Sequence, residues 1–218
     1  MSDSFQSTFI VISGKTGSGK SAILKSLSSH QYAVIDLEKI ALHKGSVFGA
    51  AGAEQPQPSQ QSFEKILQHL CESYQSSAFI FIEQKPSSIG KRKIPGWFYK
   101  KMEEGLIVQL NVSKNLRVKN IIKEYFDTER KQQNILVALN KLSERFSKEK
   151  IISLQELILN KDYTGFVNEM LDYYDHSSRY QSTGKKPFIE IVVEDEYNTE
   201  NISHEIIRAL NNIGVTLF

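Results

Sequence analysis

Gly14-Lys15-Thr16-Gly17-Ser18-Gly19-Lys20-Ser21 is the stretch that decides the fold. It follows an apolar run, Phe9–Ser13, and opens a helical pattern, Lys20–Ser28. Glycines let the backbone curl so that successive N–H groups face one point. The helix that follows adds its positive N-terminal end to the same point. The product is a cradle for phosphate, and the eight residues fit the P-loop pattern G-x-x-x-x-G-K-[ST]. A random chain of this length would match by chance roughly once in a hundred, with glycine near ~7% of residues. The strand before and the helix after make an ordinary glycine-rich turn a poorer reading still. All eight residues are therefore candidate ligands of a nucleotide, such as ATP or GTP, or of a similar diphosphate. In that role Lys20 would bridge the terminal phosphates and the Ser21 hydroxyl would ligate Mg²⁺.

Working outward, four further apolar runs read as strands: Tyr32–Leu37, Ala78–Glu83, Leu106–Val112 and Phe188–Val193. Most are continuous rather than alternating, as strands of a parallel sheet covered on both faces should be. Helical patterns lie between them at Ser62–Gln75, Pro95–Glu104 and Leu116–Phe126, and a last one at Thr199–Asn212 has Asn198 or Thr199 as cap. Strands alternating with helices predict a doubly wound α/β fold of the kinase-like P-loop NTPase type, with five parallel strands. One domain would span residues 1–218, with a helical insertion within 114–184 that centres on the Lys-rich stretch Glu129–Asp172 and could serve as a lid or partner surface. The segment His43–Gln61, rich in Gly, Ala, Gln and Pro, is expected to be a functional loop that moves when ligand binds.

A P-loop site needs a carboxylate at a strand end to hold Mg²⁺. Glu83 closes Phe79-Ile80-Phe81-Ile82 and is the best candidate, sharing the metal with Ser21. Asp36 closes Val34-Ile35, where small-molecule kinases place an acid near the acceptor. Glu38 follows two residues later and would point the same way in an extended chain. Arg117, after the fourth strand, is a candidate phosphate-reaching arginine. Around one phosphate cradle these groups also suit a small-molecule kinase.

The bulk numbers exclude several classes. The 218 residues are 40% hydrophobic and 24% charged, a globular balance. A formal net charge of +2 does not by itself argue for nucleic acid, so any such contact must come from a local patch. Lys91-Arg92-Lys93 with Trp97-Phe98-Tyr99 and Lys100-Lys101 is such a patch, mixing phosphate contacts with stacking surfaces; the alternative is a solvated face over a helix that buries Trp97 and Phe98. The single cysteine, Cys71, rules out an internal disulfide framework and falls on the apolar side of its helix with Ile66, Leu67 and Leu70, as a buried thiol would. His30, His69, His176 and His204 show no zinc-ligand spacing with it. No run approaches the ~20 apolar residues of a membrane span. Met1–Thr8 lacks a signal-peptide pattern, so the expectation is a soluble, cytoplasmic protein with no membrane partner.

A more specific string follows the P-loop. Asp36-Leu37-Glu38, Ala41, His43-Lys44-Gly45-Ser46 and Phe48-Gly49 precede Gln57-Pro58-Ser59-Gln60 and Phe63-Glu64. This resembles the P-loop domain of tRNA 2-selenouridine synthases, whose pattern reads DLE-x-x-A-x-H-R-G-S-x-F-G, a Gln-rich segment and then F-E. The resemblance continues, in order, through Ile89-Gly90, Ile94-Pro95, Met102, Arg117, Glu124-Tyr125-Phe126, Tyr173-Tyr174-Asp175 and Arg179-Tyr180. It implies work on the wobble 2-thiouridine of tRNA, where sulfur is replaced by selenium through an S-geranylated intermediate. The P-loop ligand would then be geranyl diphosphate or ATP/GTP with Mg²⁺. It also implies a functional His43 beside Asp36 and Glu83, and tRNA contacts at Lys91, Arg92, Lys93, Arg179 and Tyr180.

Two departures bear on activity. The family carries a rhodanese domain with a catalytic cysteine ahead of the P-loop, and these residues include none, so the expectation is a stand-alone P-loop component with a separate rhodanese subunit as partner. The family's third strand ends in E-x-E-S-R, whereas Glu83 is followed by Gln84-Lys85-Pro86-Ser87, with Lys85 in place of the second acid. Transferase chemistry, NTPase chemistry and a non-catalytic, nucleotide-dependent RNA-binding role all remain open at this point.

Overall fold

The computed structural model describes residues 6–44, 56–176 and 186–217. Its centre is a five-stranded sheet of β1 (Thr8–Gly14), β2 (Val34–Ile35), β3 (Phe79–Glu83), β6 (Leu106–Val112) and β7 (Ile189–Val193), in the order β2-β3-β1-β6-β7. Every pairing in that sheet is parallel. The continuous apolar character of β1 has a direct cause. Ile10 and Ile12 enter one core with α1 (Lys20–Ser29) and α9 (Thr199–Asn212), while Phe9 and Val11 enter another with α3 (Gln60–Ser73) and α4 (Gly96–Glu104). Alternate residues face opposite sides of a strand, so a strand covered on both sides must be apolar throughout. This is the doubly wound α/β P-loop architecture that the sequence predicts.

The second strand is shorter than its apolar run. The Asp36 side chain accepts a hydrogen bond from the Lys39 N–H and starts α2 (Leu37–Ala41), so the chain turns helical where an extended strand was expected. N-capping satisfies an otherwise orphaned amide, and Asp is among the residues that do it best. A second feature absent from the sequence reading is an antiparallel hairpin of β4 (Ser88–Ile89) and β5 (Arg92–Lys93), turned at Gly90 with φ +58°. The basic run Lys91–Lys93 belongs to it.

Between β6 and β7 the chain builds α5 (Lys114–Tyr125), α6 (Glu129–Leu139), a 3-10 turn (Asn140–Leu142), α7 (Lys148–Leu159) and α8 (Tyr163–His176). Thr128 and Ser147 cap α6 and α7 by accepting from Lys131 and Lys150 N–H groups. These helices enclose a core of their own around Leu139, Leu154, Phe166 and Leu171, with Phe126 stacked on Tyr163 at 4.5 Å. Asn198, rather than Thr199, caps α9. Among the described residues no helix is long and apolar enough to cross a membrane.

Candidate functional site

The phosphate loop leaves the carboxyl end of β1, the edge at which open α/β sheets bind ligands. Gly17 and Gly19 both hold φ +81°, a left-handed conformation that costs glycine little. Three side chains from distant elements fix the loop by its carbonyls. Arg117 Nε of α5 donates to Thr16 O at 2.8 Å, Asn120 Nδ2 to Gly17 O at 3.0 Å, and Tyr197 Oη to Ser18 O at 3.1 Å. In a trans peptide the C=O and the next N–H point in opposite directions. Holding the Thr16 and Ser18 carbonyls therefore also fixes the direction of the Gly17 and Gly19 amides, while the Ser18 amide closes a turn onto Lys15 O at 3.1 Å. Tyr197 lies so close over Gly19 that a Cβ there would overlap its Oη. Burial pushes the Tyr197 hydroxyl up to about 12, so it remains a donor.

Lys20 folds back into the loop, donating to Gly14 O at 2.8 Å and Lys15 O at 3.2 Å, with Glu83 at 3.9 Å. A bound phosphate would take over those two hydrogen bonds. Burial lowers the Lys20 ammonium from its ordinary pKa, an effect that Glu83 opposes. Behind Lys20, two carboxylates and an ammonium close a ring. Lys85 Nζ donates to Glu38 Oε1 at 2.5 Å and Glu83 Oε1 at 2.7 Å. Ser21 Oγ lies 3.3 Å from Glu38 Oε2 and 3.2 Å from Glu83 Oε2, its single proton serving one of them at a time. Burial would raise Glu83, but Lys85 and then Lys20 outweigh it and hold the carboxyl below its usual range. Burial and the charge of Glu83 push Glu38 the other way. Lys85 is raised, because its two carboxylates outweigh its burial.

The donor set of Ser21, Glu38 and Glu83 has the oxygen chemistry of an Mg²⁺ site. The position between the carboxylates, however, is filled by the Lys85 ammonium, which takes one oxygen of each, while the two remaining oxygens share the single Ser21 proton. These residues as arranged do not fit a divalent cation.

The other expected site residues are dispersed. Asp36 lines the cleft but serves as the cap of α2, and Glu38, in the first turn of that helix, is the acid that enters the ring. His43 is half-buried next to Gly90; burial and then Lys85 lower its pKa. Arg117 is 3% exposed and, besides Thr16, makes a bidentate pair with Asp175 of α8 at 2.8 Å for both bonds. Lys15 joins that pair at 3.4 Å from Asp175. Lys91, Arg92 and Lys93 sit on the β4–β5 hairpin, apart from the lining of the P-loop cleft. Of the neighbouring aromatics, Phe98 is buried while Trp97 is 38% exposed. Arg179 and Tyr180 lie outside the described residues, as does 45–55 of the expected mobile loop. The ends of that loop are tied down, Lys44 to Glu124 at 2.6 Å and Gln57 to Ala41 O and Ile89 O. Cys71 is buried in the α3 core, and burial pushes its thiol up to about 12. His30, Glu200 and His204, exposed at the ends of α1 and α9, bring ligand-type atoms within 4.8 Å of one another, a grouping hidden by their sequence separation.

The Arg117–Asp175 clamp has a pH signature. Burial would raise Asp175, but its hydrogen bonds and charge pairing with Arg117, then Lys15, lower it below the ordinary value. The unfolded chain therefore holds this proton more tightly. The stabilisation is complete above the unfolded pKa, near ~3.9, and is lost as pH falls through the lower folded value. Melting temperature is expected to fall more steeply below about pH 4 in the wild type than in Asp175→Asn, as read by circular dichroism.

Comparison with known proteins places this geometry. Solved structures offer only a remote likeness: shikimate kinase from Acinetobacter baumannii aligns over 99% of this chain and 100% of its own, at 11% identity and TM-score 0.40. Curated proteins named tRNA 2-selenouridine synthase are nearer. That of Nitrosomonas eutropha is 35% identical over 121 residues, covering 54% of this chain and 30% of its own length. That of Nitrosomonas europaea is 32% identical over 161 residues, 72% of this chain and 41% of its own. The Marinobacter nauticus protein is 28% identical over 221 residues, 88% of this chain and 59% of its own. This chain thus spans about a third to three fifths of the relatives it matches. The family model described as the tRNA 2-selenouridine synthase AAA domain matches residues 7–205, which includes the phosphate loop, the Lys85 ring and the Arg117–Asp175 clamp. The chain belongs to the tRNA 2-selenouridine synthase AAA-domain family.

Proposed function

We propose that this chain binds a diphosphate or nucleotide in the Gly14–Ser21 loop and acts in the modification of wobble 2-thiouridine in cytoplasmic tRNA. Its part is the diphosphate side of the chemistry. In that step the thiocarbonyl sulfur forms a bond to C1 of geranyl diphosphate, the C1–O bond breaks, diphosphate leaves with the electron pair, and the N3 proton of the base passes to solvent. The Gly17 and Gly19 amides, the α1 terminus and Lys20 stabilise charge on the leaving group, which is where preorganised donors accelerate such a step. The tRNA side is assigned to Lys91, Arg92 and Lys93, with Arg179 and Tyr180 as further candidates and Trp97 as an exposed stacking surface.

One observation carries the choice of step. Chalcogen transfer by persulfide needs an accessible thiolate, and Cys71, the single cysteine, is 4% exposed with its thiol raised to about 12. These residues can serve the diphosphate step, and the chalcogen carrier is a thiol elsewhere, such as that of a rhodanese unit.

The test incubates the protein and its Cys71→Ser variant with 2-thiouridine-containing tRNA, geranyl diphosphate and selenophosphate, with nucleosides read by mass spectrometry. Geranylated thiouridine from both proteins is expected. Selenouridine made by the wild type and lost in Cys71→Ser would overturn the assignment, and no product from either would favour a non-catalytic binding role.

A further inference from the structure

We infer that the cation of this P-loop site is built into the chain as Lys85, so that its phosphate ligand binds without a divalent metal. The inference rests on the phosphate-site reading above and adds to it the charge state of the ligand that is taken.

The placement follows from the strand. Lys85 lies two residues beyond Glu83, so in an extended segment both side chains project to the same side. Glu38 arrives from the first turn of α2, brought there by the Asp36 cap. The side chains of Lys85, Glu83 and Glu38 are 9%, 5% and 13% exposed, so water screens the group poorly. Two carboxylates and two ammonium groups, Lys20 and Lys85, then balance to zero within one cluster. Mg²⁺ requires about six oxygen ligands at ~2.0–2.1 Å. To obtain Glu38 and Glu83 it would have to expel an ammonium held at 2.5 and 2.7 Å and leave it buried beside a doubly charged ion. Lys85 uses two of its three N–H donors on the carboxylates, which leaves one for a phosphate oxygen. Burial pulls the pKa of this amine down, but the two paired carboxylates outweigh it and raise it.

The experiment measures binding of inorganic pyrophosphate by calorimetry, in EDTA and in Mg²⁺, to the wild type and to Lys85→Ala. The wild type is expected to bind with affinities within about threefold in the two buffers, whereas Lys85→Ala, with its carboxylates freed, is expected to need Mg²⁺ by about tenfold or more. Lys85→Met retains side-chain volume and is measured alongside in case the alanine variant folds poorly. A wild type that loses about tenfold or more affinity in EDTA, or a Lys85→Met variant as metal-independent as the wild type, overturns the inference. Should the wild type bind pyrophosphate in neither buffer, the phosphate-site reading fails, and Lys85 is judged by Mn²⁺ alone. Mn²⁺ paramagnetic resonance is then recorded on a His204→Ala background, because His30, Glu200 and His204 offer a competing exposed site. Mn²⁺ captured only when Lys85→Met is added supports the built-in cation; capture with Lys85 present, or capture by neither protein, contradicts it.

Discussion

Arg117→Ala is expected to lower stability by about 3–5 kcal/mol, the usual cost of removing one partner from a buried ion pair. Arg117 is 3% exposed and ties three things together: Thr16 O of the phosphate loop, both oxygens of Asp175 in α8, and its own helix α5. Without it, Asp175 keeps, among the described residues, the longer contact to Lys15, whose side chain is 65% exposed, and the Thr16 carbonyl loses the Arg117 donor. For a chain of this size each kcal/mol moves the melting temperature by about 2–4 °C, so a fall on the order of 10 °C is expected by calorimetry. Arg117→Lys should recover little of it, since an ammonium cannot reproduce the bidentate fork. A melting temperature for Arg117→Ala within about 2 °C of the wild type would show that the clamp does not hold the helices to the loop.

Lys20→Ala has the larger effect on binding and a small one on the fold. In the free protein Lys20 is bonded to Gly14 O and Lys15 O, carbonyls that border the open cleft and can be rehydrated. Glu83 keeps Lys85 and Ser21 as partners when Lys20 is gone. The ligand, by contrast, loses charge-assisted hydrogen bonds worth about 1.5–3 kcal/mol each. Two such bonds correspond to a loss of affinity of about a hundredfold or more. Titration with pyrophosphate and a thermal melt check both halves. Unchanged affinity would remove Lys20 from the site, while a melt lowered by about 10 °C would mean that Lys20 is structural.

The sheet and the phosphate loop were legible because their signals are local. A continuous apolar run, a glycine-rich octet and a helical period lie side by side between Phe9 and Ser28. The rest of the site is assembled across distance. Tyr197, Asn120 and Asp175 meet their partners Ser18, Gly17 and Arg117 over separations of 179, 103 and 58 residues, and no local pattern encodes such contacts. Asp36 illustrates a different ambiguity. An acid after two apolar residues reads equally as a strand-end ligand and as a helix cap; the structure uses it as the cap, and this hands the central position to Glu38. Lys85 was visible as the replacement of an acid, but its role became visible only once Glu38 stood opposite it. The β4–β5 hairpin, with two residues in each strand, is too short for any alternation to register, and Gly90 is its one sequence cue.

The claim that Gly14–Ser21 is a phosphate cradle is tested most directly at the amides themselves. Two-dimensional ¹⁵N–¹H spectra recorded while pyrophosphate is added report each N–H separately. The largest downfield shifts are expected at Gly17, Gly19, Lys20 and Ser21, saturating together and absent in Lys20→Ala. Shifts confined to the Lys91–Lys93 hairpin, or a spectrum unchanged at the loop while ligand binds, would contradict it.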